Sequence, residues 1–170
     1  MGVGGVIWEK MLYFYNCKKR FIVNFVGEFT SKIDPKRRIV LPALFKKQLG
    51  NTPSSDLFIL KEDLYEKCLV LYPMQEWERQ NQIILEKLNP FNREHNQFLR
   101  IFSKGACEVT LDNVNRFLIP KRLLEYAGIE KDVVLSGQNS KIEIWAAESY
   151  QKIWDNPVDF GALADKIMNP

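Results

Sequence analysis

One histidine, His95, and three widely separated cysteines, Cys17, Cys68 and Cys107, are too few to build the sites on which many small proteins depend. No C-x-x-C pair occurs, and an odd cysteine count gives no disulfide framework, so the cysteines read as reduced, buried thiols. With one histidine there is neither a zinc-ligand cluster nor a histidine-based nucleophilic triad, and His95 reads as a surface residue. No uninterrupted apolar run reaches membrane-spanning length: Glu9, Lys10, Asn16 and Lys18-Lys19-Arg20 break up the amino-terminal stretch. Its basic run follows the apolar part, the reverse of a secretory signal, so the cytoplasm is the expected compartment. Charge of one sign is also scarce, with a net +3, so a case for a polyanionic partner must rest on where the charges sit. What the chain does have is 46% hydrophobic residues, enough for one ordinary core or two small ones.

It also has a repeat. Ile33-Asp34-Pro35-Lys36-Arg37-Arg38-Ile39-Val40-Leu41-Pro42 aligns with Leu111-Asp112-Asn113-Val114-Asn115-Arg116-Phe117-Leu118-Ile119-Pro120, matching Asp, Arg, Pro, the apolar residue before Asp and the three apolar positions between Arg and Pro. In each copy the proline opens a short helical segment that Gly50 or Gly128 closes. Apolar runs of strand length follow, Leu57–Leu60 and Val133–Leu135, then Cys68–Tyr72 and the alternating Lys141–Trp145. Glu62-Asp63 and Ser136–Ser140 read as the turns between them, with Gly137 and Asn139 supplying positive φ.

Both halves thus read β-β-short helix-β-β. Between them, Met74–Leu88 and Asn92–Ser103 have helical periodicity, with Asn92 as a cap and Gly105 as a stop. A last helix is expected around Ser149–Trp154, halted by Asn156-Pro157, with a featureless tail beyond. The resulting division is an extension at 1–24, a first module at 25–73, a helical connector at 74–104, a second module at 105–148 and a carboxy-terminal helix and tail at 149–170. The repeat begins only near Phe25, so residues 1–24 read as lying ahead of the folded unit, as they would if the start were assigned too far upstream. Two fifty-residue modules are marginal singly, which favours interleaving them into one pseudo-symmetric domain.

The first copy concentrates Lys32, Lys36, Arg37 and Arg38 around Asp34, with Lys46 and Lys47 on the following helix. A twisted two-stranded ribbon fits the DNA major groove, where arginine donates two hydrogen bonds to guanine and lysine neutralises phosphate. Asp34 and Asp112 would repel phosphate, so their expected role is supporting: accepting backbone N–H groups in the turn and bracing the arginine four residues on. The bland alternative makes Arg38 and Arg116 surface ion pairs on a solvated edge. Its weakness is that two edge strands have no reason to share one Asp-to-Arg interval. Because Lys36-Arg37 becomes Val114-Asn115, the second copy is the weaker electrostatic footprint.

These residues resemble the MraZ family of bacterial regulators, typically found at the head of the division and cell-wall gene cluster, and more distantly the AbrB and MazE type of swapped-hairpin domain. The likeness runs from about Phe25 to Trp154 and includes Gly27-Glu28-Phe29, Cys68–Pro73 with Trp77, and Ile142-Glu143-Ile144-Trp145. It implies a mainly β fold with flanking helices: two tandem AbrB-like modules interleaved into a pseudo-twofold swapped-hairpin, double-split β-barrel. It further implies a homo-oligomeric ring, nucleoid association and binding to short tandem repeats in double-stranded promoter DNA, with no cofactor. By position the resemblance carries the DNA-facing set over to Lys36, Arg37 and Arg38 in the first copy and Asn115 and Arg116 in the second, supported by Asp34 and Asp112, and Lys32 joins it from the basic cluster around Asp34. The family usually has glycine before the arginine, where this chain has Arg37 and Asn115. Asparagine accepts positive φ more readily than arginine, so the first turn is expected to differ in shape.

Two other classes compete with this one. Related barrels house aspartic proteases and pyruvoyl enzymes, but Asp-Thr/Ser-Gly and Gly-Ser are both absent, and Gly2-Val3-Gly4-Gly5 lacks the Gly-Lys-Ser/Thr of a phosphate loop, so no enzyme is expected. The connector helices, with Trp77, Phe98 and Phe102, are the candidate surface for a protein-interaction module, though these aromatics read first as core or subunit interface.

Overall fold

The computed structural model describes residues 23–51 and 54–169. Its first local feature follows from Pro42 and Pro120. Each, near φ −55° and ψ 140°, launches a seven-residue helix, α1 (Ala43–Leu49) and α4 (Lys121–Ala127). A proline there loses no hydrogen bond, because a first-turn N–H has no partner within the helix. Gly128, at φ 63°, ends α4 in the left-handed conformation, and its N–H reaches back to Glu125 and Leu124 carbonyls. Phe45 and Leu49 of α1, and Leu123, Leu124 and Ala127 of α4, point into the core.

Around these helices run, among the described residues, eight strands: β1 (Glu28–Lys32), β2 (Arg38–Val40), β3 (Leu57–Glu62), β4 (Leu69–Pro73), β5 (Cys107–Thr110), β6 (Arg116–Leu118), β7 (Asp132–Gln138) and β8 (Lys141–Ala146). Six form one antiparallel sheet in the order β1-β7-β8-β4-β3-β5, and β2 pairs with β6 in a separate ribbon. That order reads the same from either end once β1 is exchanged for β5, β7 for β3 and β8 for β4. A pseudo-twofold axis therefore passes between β4 and β8, where Val70 faces Glu143, and through the ribbon, where Ile39 faces Phe117. The halves are interleaved: β1 pairs with β7, and β5 with β3. The six-stranded ladder is open, however. Among the described residues no ladder joins its edge strands β1 and β5, so the hydrogen-bonded closure of a barrel is not present.

The core fills the space between sheet and ribbon. Phe58, Leu60, Leu69, Leu71, Leu135, Ile142 and Ile144 meet Ile39, Leu41, Phe45, Phe117, Ile119 and Leu123, all essentially inaccessible to solvent. Phe45 receives Phe25 and Phe29 edge-on, at centroid distances of 5.5 and 5.0 Å. Each fully buried large side chain contributes about 1.5–3 kcal/mol of transfer free energy.

The connector explains why the first module's strands read as continuously apolar while β8 alternates. Helix α2 (Met74–Lys87) packs on β3 and β4, and Phe102 at the end of α3 (Arg93–Phe102) covers Lys61 of β3, so both faces there are buried. Trp77 lies against Tyr72 at 5.9 Å and stacks on Phe102 at 5.4 Å, and Phe98 stacks on Phe102 in turn. Beneath Phe102 lies Lys61, a buried lysine whose ammonium sits 4.7 Å from the ring centroid. Desolvation lowers its pKa. Asn92 caps α3 by accepting the N–H groups of Glu94 and His95, and His95 Nδ1 accepts the Asn89 N–H at 2.8 Å, so the histidine ties down the interhelical turn.

Two expectations need correction. Asn139 adopts φ 57° in the β7–β8 turn, but Gly137 does not have positive φ. Its lack of a side chain serves close approach: a Cβ there would lie 2.7 Å from the Phe25 carbonyl carbon and oxygen. The tail expected beyond Asn156-Pro157 is also not featureless. After α5 (Ala147–Asp155), Asp159 accepts the Ala162 N–H and caps a further helix, α6 (Phe160–Met168). The readings placed on residues 1–22, including Cys17, lie outside the described residues; Val23 and Phe25 are buried in the core.

Candidate nucleic-acid interface

The repeated motif folds into the same turn twice. The Arg37 N–H donates to the Asp34 carbonyl at 2.9 Å and the Asp34 N–H to the Arg38 carbonyl at 2.9 Å; in the second copy Asn115 donates to Asp112 at 3.0 Å and Asp112 to Arg116 at 2.8 Å. This is a tight turn followed by one left-handed residue, the usual three-residue solution for reversing a chain. The left-handed residues are Arg37 (φ 63°) and Asn115 (φ 59°). The expected difference in shape is therefore absent: Arg37 takes the conformation that asparagine takes in the other copy, at a cost of about 1–2 kcal/mol for a side chain in that region.

What compels Arg37 to do so is the aspartate. Asp34 Oδ1 accepts the N–H groups of Lys36 and Arg38 at 2.9 and 2.8 Å, and Oδ2 accepts Arg38 Nε at 2.8 Å. Asp112 does the same with Val114, Arg116 and Arg116 Nε at 3.0, 2.8 and 2.9 Å. The Arg38 N–H does most to hold the Asp34 carboxyl below the ordinary carboxylate range; partial desolvation opposes it, and the Arg38 guanidinium and the Lys36 N–H add to the lowering. In Asp112 the lowering comes first from the Arg116 N–H, with the Val114 N–H and the Arg116 guanidinium adding. Each guanidinium spends only Nε on its brace, leaving both terminal nitrogens free of hydrogen bonds among the described residues.

The two turns are bound together by the ribbon. Leu41 N–H donates to the Asn115 carbonyl at 2.8 Å and Ile119 N–H to the Arg37 carbonyl at 2.9 Å, so each left-handed residue anchors the other copy's strand. Ile39 and Phe117 point into the core; Arg38, Val40, Arg116 and Leu118 alternate with them toward solvent, with Arg38 opposite Leu118 and Val40 opposite Arg116. The outward turn of Val40 and Leu118 was not legible, because Ile-Val and Phe-Leu read equally apolar at both positions.

The remaining expected residues divide into free and engaged. Lys36 and Arg37 are exposed and make no ion pair among the described residues. Lys32 ends β1 with its ammonium 3.9 Å from Asp132. Lys47 is exposed, but Lys46 donates to the Ser55 carbonyl at 3.1 Å and pairs with Asp56, so it is not part of a free basic surface. No described helix is long and apolar enough to cross a membrane.

A protein-family model described as "MraZ protein, putative antitoxin-like" matches residues 24–101 and again 102–163, one match to each copy of the turn. Among curated proteins, the Transcriptional regulator MraZ of Bacteroides fragilis is 38% identical over 147 residues, covering 86% of this chain and 92% of the relative. The protein of the same name from Phocaeicola vulgatus is 42% identical over 146 residues, covering 86% and 94%, and that from Clostridium beijerinckii 40% over 146, covering 84% and 96%. The name these relatives carry is that of a transcriptional regulator, not of an enzyme. Matched in both halves and along nearly the whole of its relatives, the chain with the twofold Asp-braced turn belongs to the MraZ family.

Proposed function

We propose that the chain is a DNA-binding transcriptional regulator that grips double-stranded promoter DNA with its paired Asp-x-x-x-Arg turns. The observation that carries this reading is the duplication of one geometry: two turns with matching hydrogen bonds, each presenting an arginine whose terminal nitrogens make no hydrogen bond among the described residues, mounted on one exposed ribbon. A brace at Nε fixes the plane of the guanidinium before docking, lowering the entropy lost when it meets a base edge. Arg38 and Arg116 read, Asp34 and Asp112 hold, and Lys32, Lys36 and Arg37 supply attraction to phosphate, with Asn115 beside Arg116. The name carried by the relatives supports the same reading.

The two modules, 25–73 and 105–148, flank the 74–104 connector, and their interleaved strands suit a swapped-hairpin barrel. The targets are short tandem repeats in promoters of the division and cell-wall gene cluster, engaged by a homo-oligomeric ring in the nucleoid. The test is a fluorescence titration of the full chain on its own upstream DNA across a salt series. With Lys36 and Arg37 both exposed on the turn and in no ion pair among the described residues, log affinity should fall against log salt with a slope of about −2 or steeper per chain. Arg38→Ala and Arg116→Ala should each weaken specific binding by about 1–3 kcal/mol in a folded protein. Unchanged affinity in both variants, on specific and random duplex alike, would refute the assignment.

A further inference from the structure

The two turns have one backbone but offer different chemistry. At the third position of the turn Lys36 is replaced by Val114, and at the left-handed position Arg37 by Asn115. The bonds from Asp34 and from Asp112 agree to within about 0.1 Å, so these side chains leave equivalent points of equivalent turns. Val114 is 56% exposed at its tip, an apolar residue where the first copy holds a cation. The Asn115 backbone is fully engaged, its N–H with Asp112 and its carbonyl with Leu41, yet its carboxamide makes no hydrogen bond among the described residues. The turn therefore has no use for the amide beyond its tolerance of positive φ.

Resting on the DNA-binding reading above, we infer that the two turns read different base pairs, and that the second selects an A·T pair: Asn115 to the adenine edge and Val114 to the thymine methyl. An asparagine carboxamide matches the N6 donor and N7 acceptor of adenine, and in the major groove the C5 methyl of thymine is the feature an apolar side chain can contact. Lys36, Arg37 and Arg38 match guanine and phosphate instead. The turns also cannot share one base pair. The ribbon register places Arg37 opposite Ile119 and Asn115 opposite Leu41, four residues apart along the strands. That is about 13 Å at 3.3 Å per residue, or roughly four base-pair rises of 3.4 Å.

A duplex library with randomised bases, selected on the full chain, supplies the probe. In the enriched duplex one A·T pair should stand apart from the guanine-containing positions, and replacing its thymine by uracil, which lacks only the methyl, should weaken binding about fivefold. Val114→Gly, which leaves no apolar side chain at that point, should bind the thymine and uracil duplexes alike. Asn115→Gly, which keeps the left-handed conformation, should lose the preference for A·T at that pair and keep the preference for guanine elsewhere. If uracil binds as well as thymine at every position, or if Asn115→Gly selects the same motif as the parent, the assignment to A·T fails while DNA binding stands. If the parent enriches no motif and Lys36→Ala and Arg38→Ala leave binding unchanged, the DNA-binding reading itself has failed.

Discussion

Replacing Arg37 with glycine should make the protein more stable and a poorer DNA binder. Arg37 sits at φ 63°, where a side chain costs about 1–2 kcal/mol relative to glycine. Its native bonds in the turn are made by the backbone alone, the N–H to Asp34 and the carbonyl from Ile119, and glycine retains both. Against the relief stands the greater freedom of glycine in the unfolded chain, about 0.4–1 kcal/mol. The balance is a stabilisation of about 0.5–1 kcal/mol, which for a chain of this size raises Tm by about 1–4 °C. One unpaired cation disappears from the turn, so the slope of log affinity against log salt should flatten by about 0.9. Urea unfolding measures the first effect and a salt titration on duplex DNA the second. Loss of stability in Arg37→Gly would mean that the side chain makes a contact outweighing the strain, and an unchanged salt slope would remove Arg37 from the phosphate-facing set.

Two other outcomes are expected. Asp34 and Asp112 have pKa values lowered by folding, so their contribution is complete above the unfolded value near 3.9 and is lost as pH falls through the lower folded values. The urea midpoint should therefore drop as pH falls below about 4, and the double variant Asp34→Asn/Asp112→Asn should show a shallower drop; parallel curves would exclude the two carboxylates as its source. Gly137→Ala forces a methyl to within 2.7 Å of the Phe25 carbonyl group and should cost about 1–3 kcal/mol, with loss of amide protection at Phe25, whose N–H bonds the Asn139 carbonyl at 2.6 Å. A cost below about 0.5 kcal/mol, the scatter of ordinary surface substitutions, would mean that the strand moves aside freely.

Local chemistry was the legible part of this fold. The proline-to-glycine helices, the alternation in Lys141–Trp145 and the Asp-to-Arg interval each follow from interactions within ten residues of one another, which a linear sequence displays. What was hidden depends on distant partners. Nothing in Glu28–Lys32 says that it pairs with Asp132–Ser136, and nothing in Lys61 says that Phe102 will cover it. Gly137 was assigned to a turn because a glycine beside Asn139 suits one, whereas its real constraint comes from Phe25. The α6 helix is hard to see in the sequence because Phe160-Gly161 weakens the helical signal, and the decisive residue is the cap, Asp159. Arg37 was expected to reshape its turn because intrinsic preference was weighed alone. Three hydrogen bonds to the Asp34 carboxylate, from Lys36 and Arg38, outweigh it.

The exchange of strands between the halves also sets the order of events during synthesis. Glu28 in β1 waits for Ser136 in β7, about a hundred residues later in the chain. At translation rates of about 5–20 residues per second, β1 spends about 5–20 s without its ladder partner, while β3 and β4 can already form their hairpin. The amino-terminal half therefore emerges from the ribosome with an unsatisfied strand edge, and its native pairing is postponed until the carboxy-terminal half has been made.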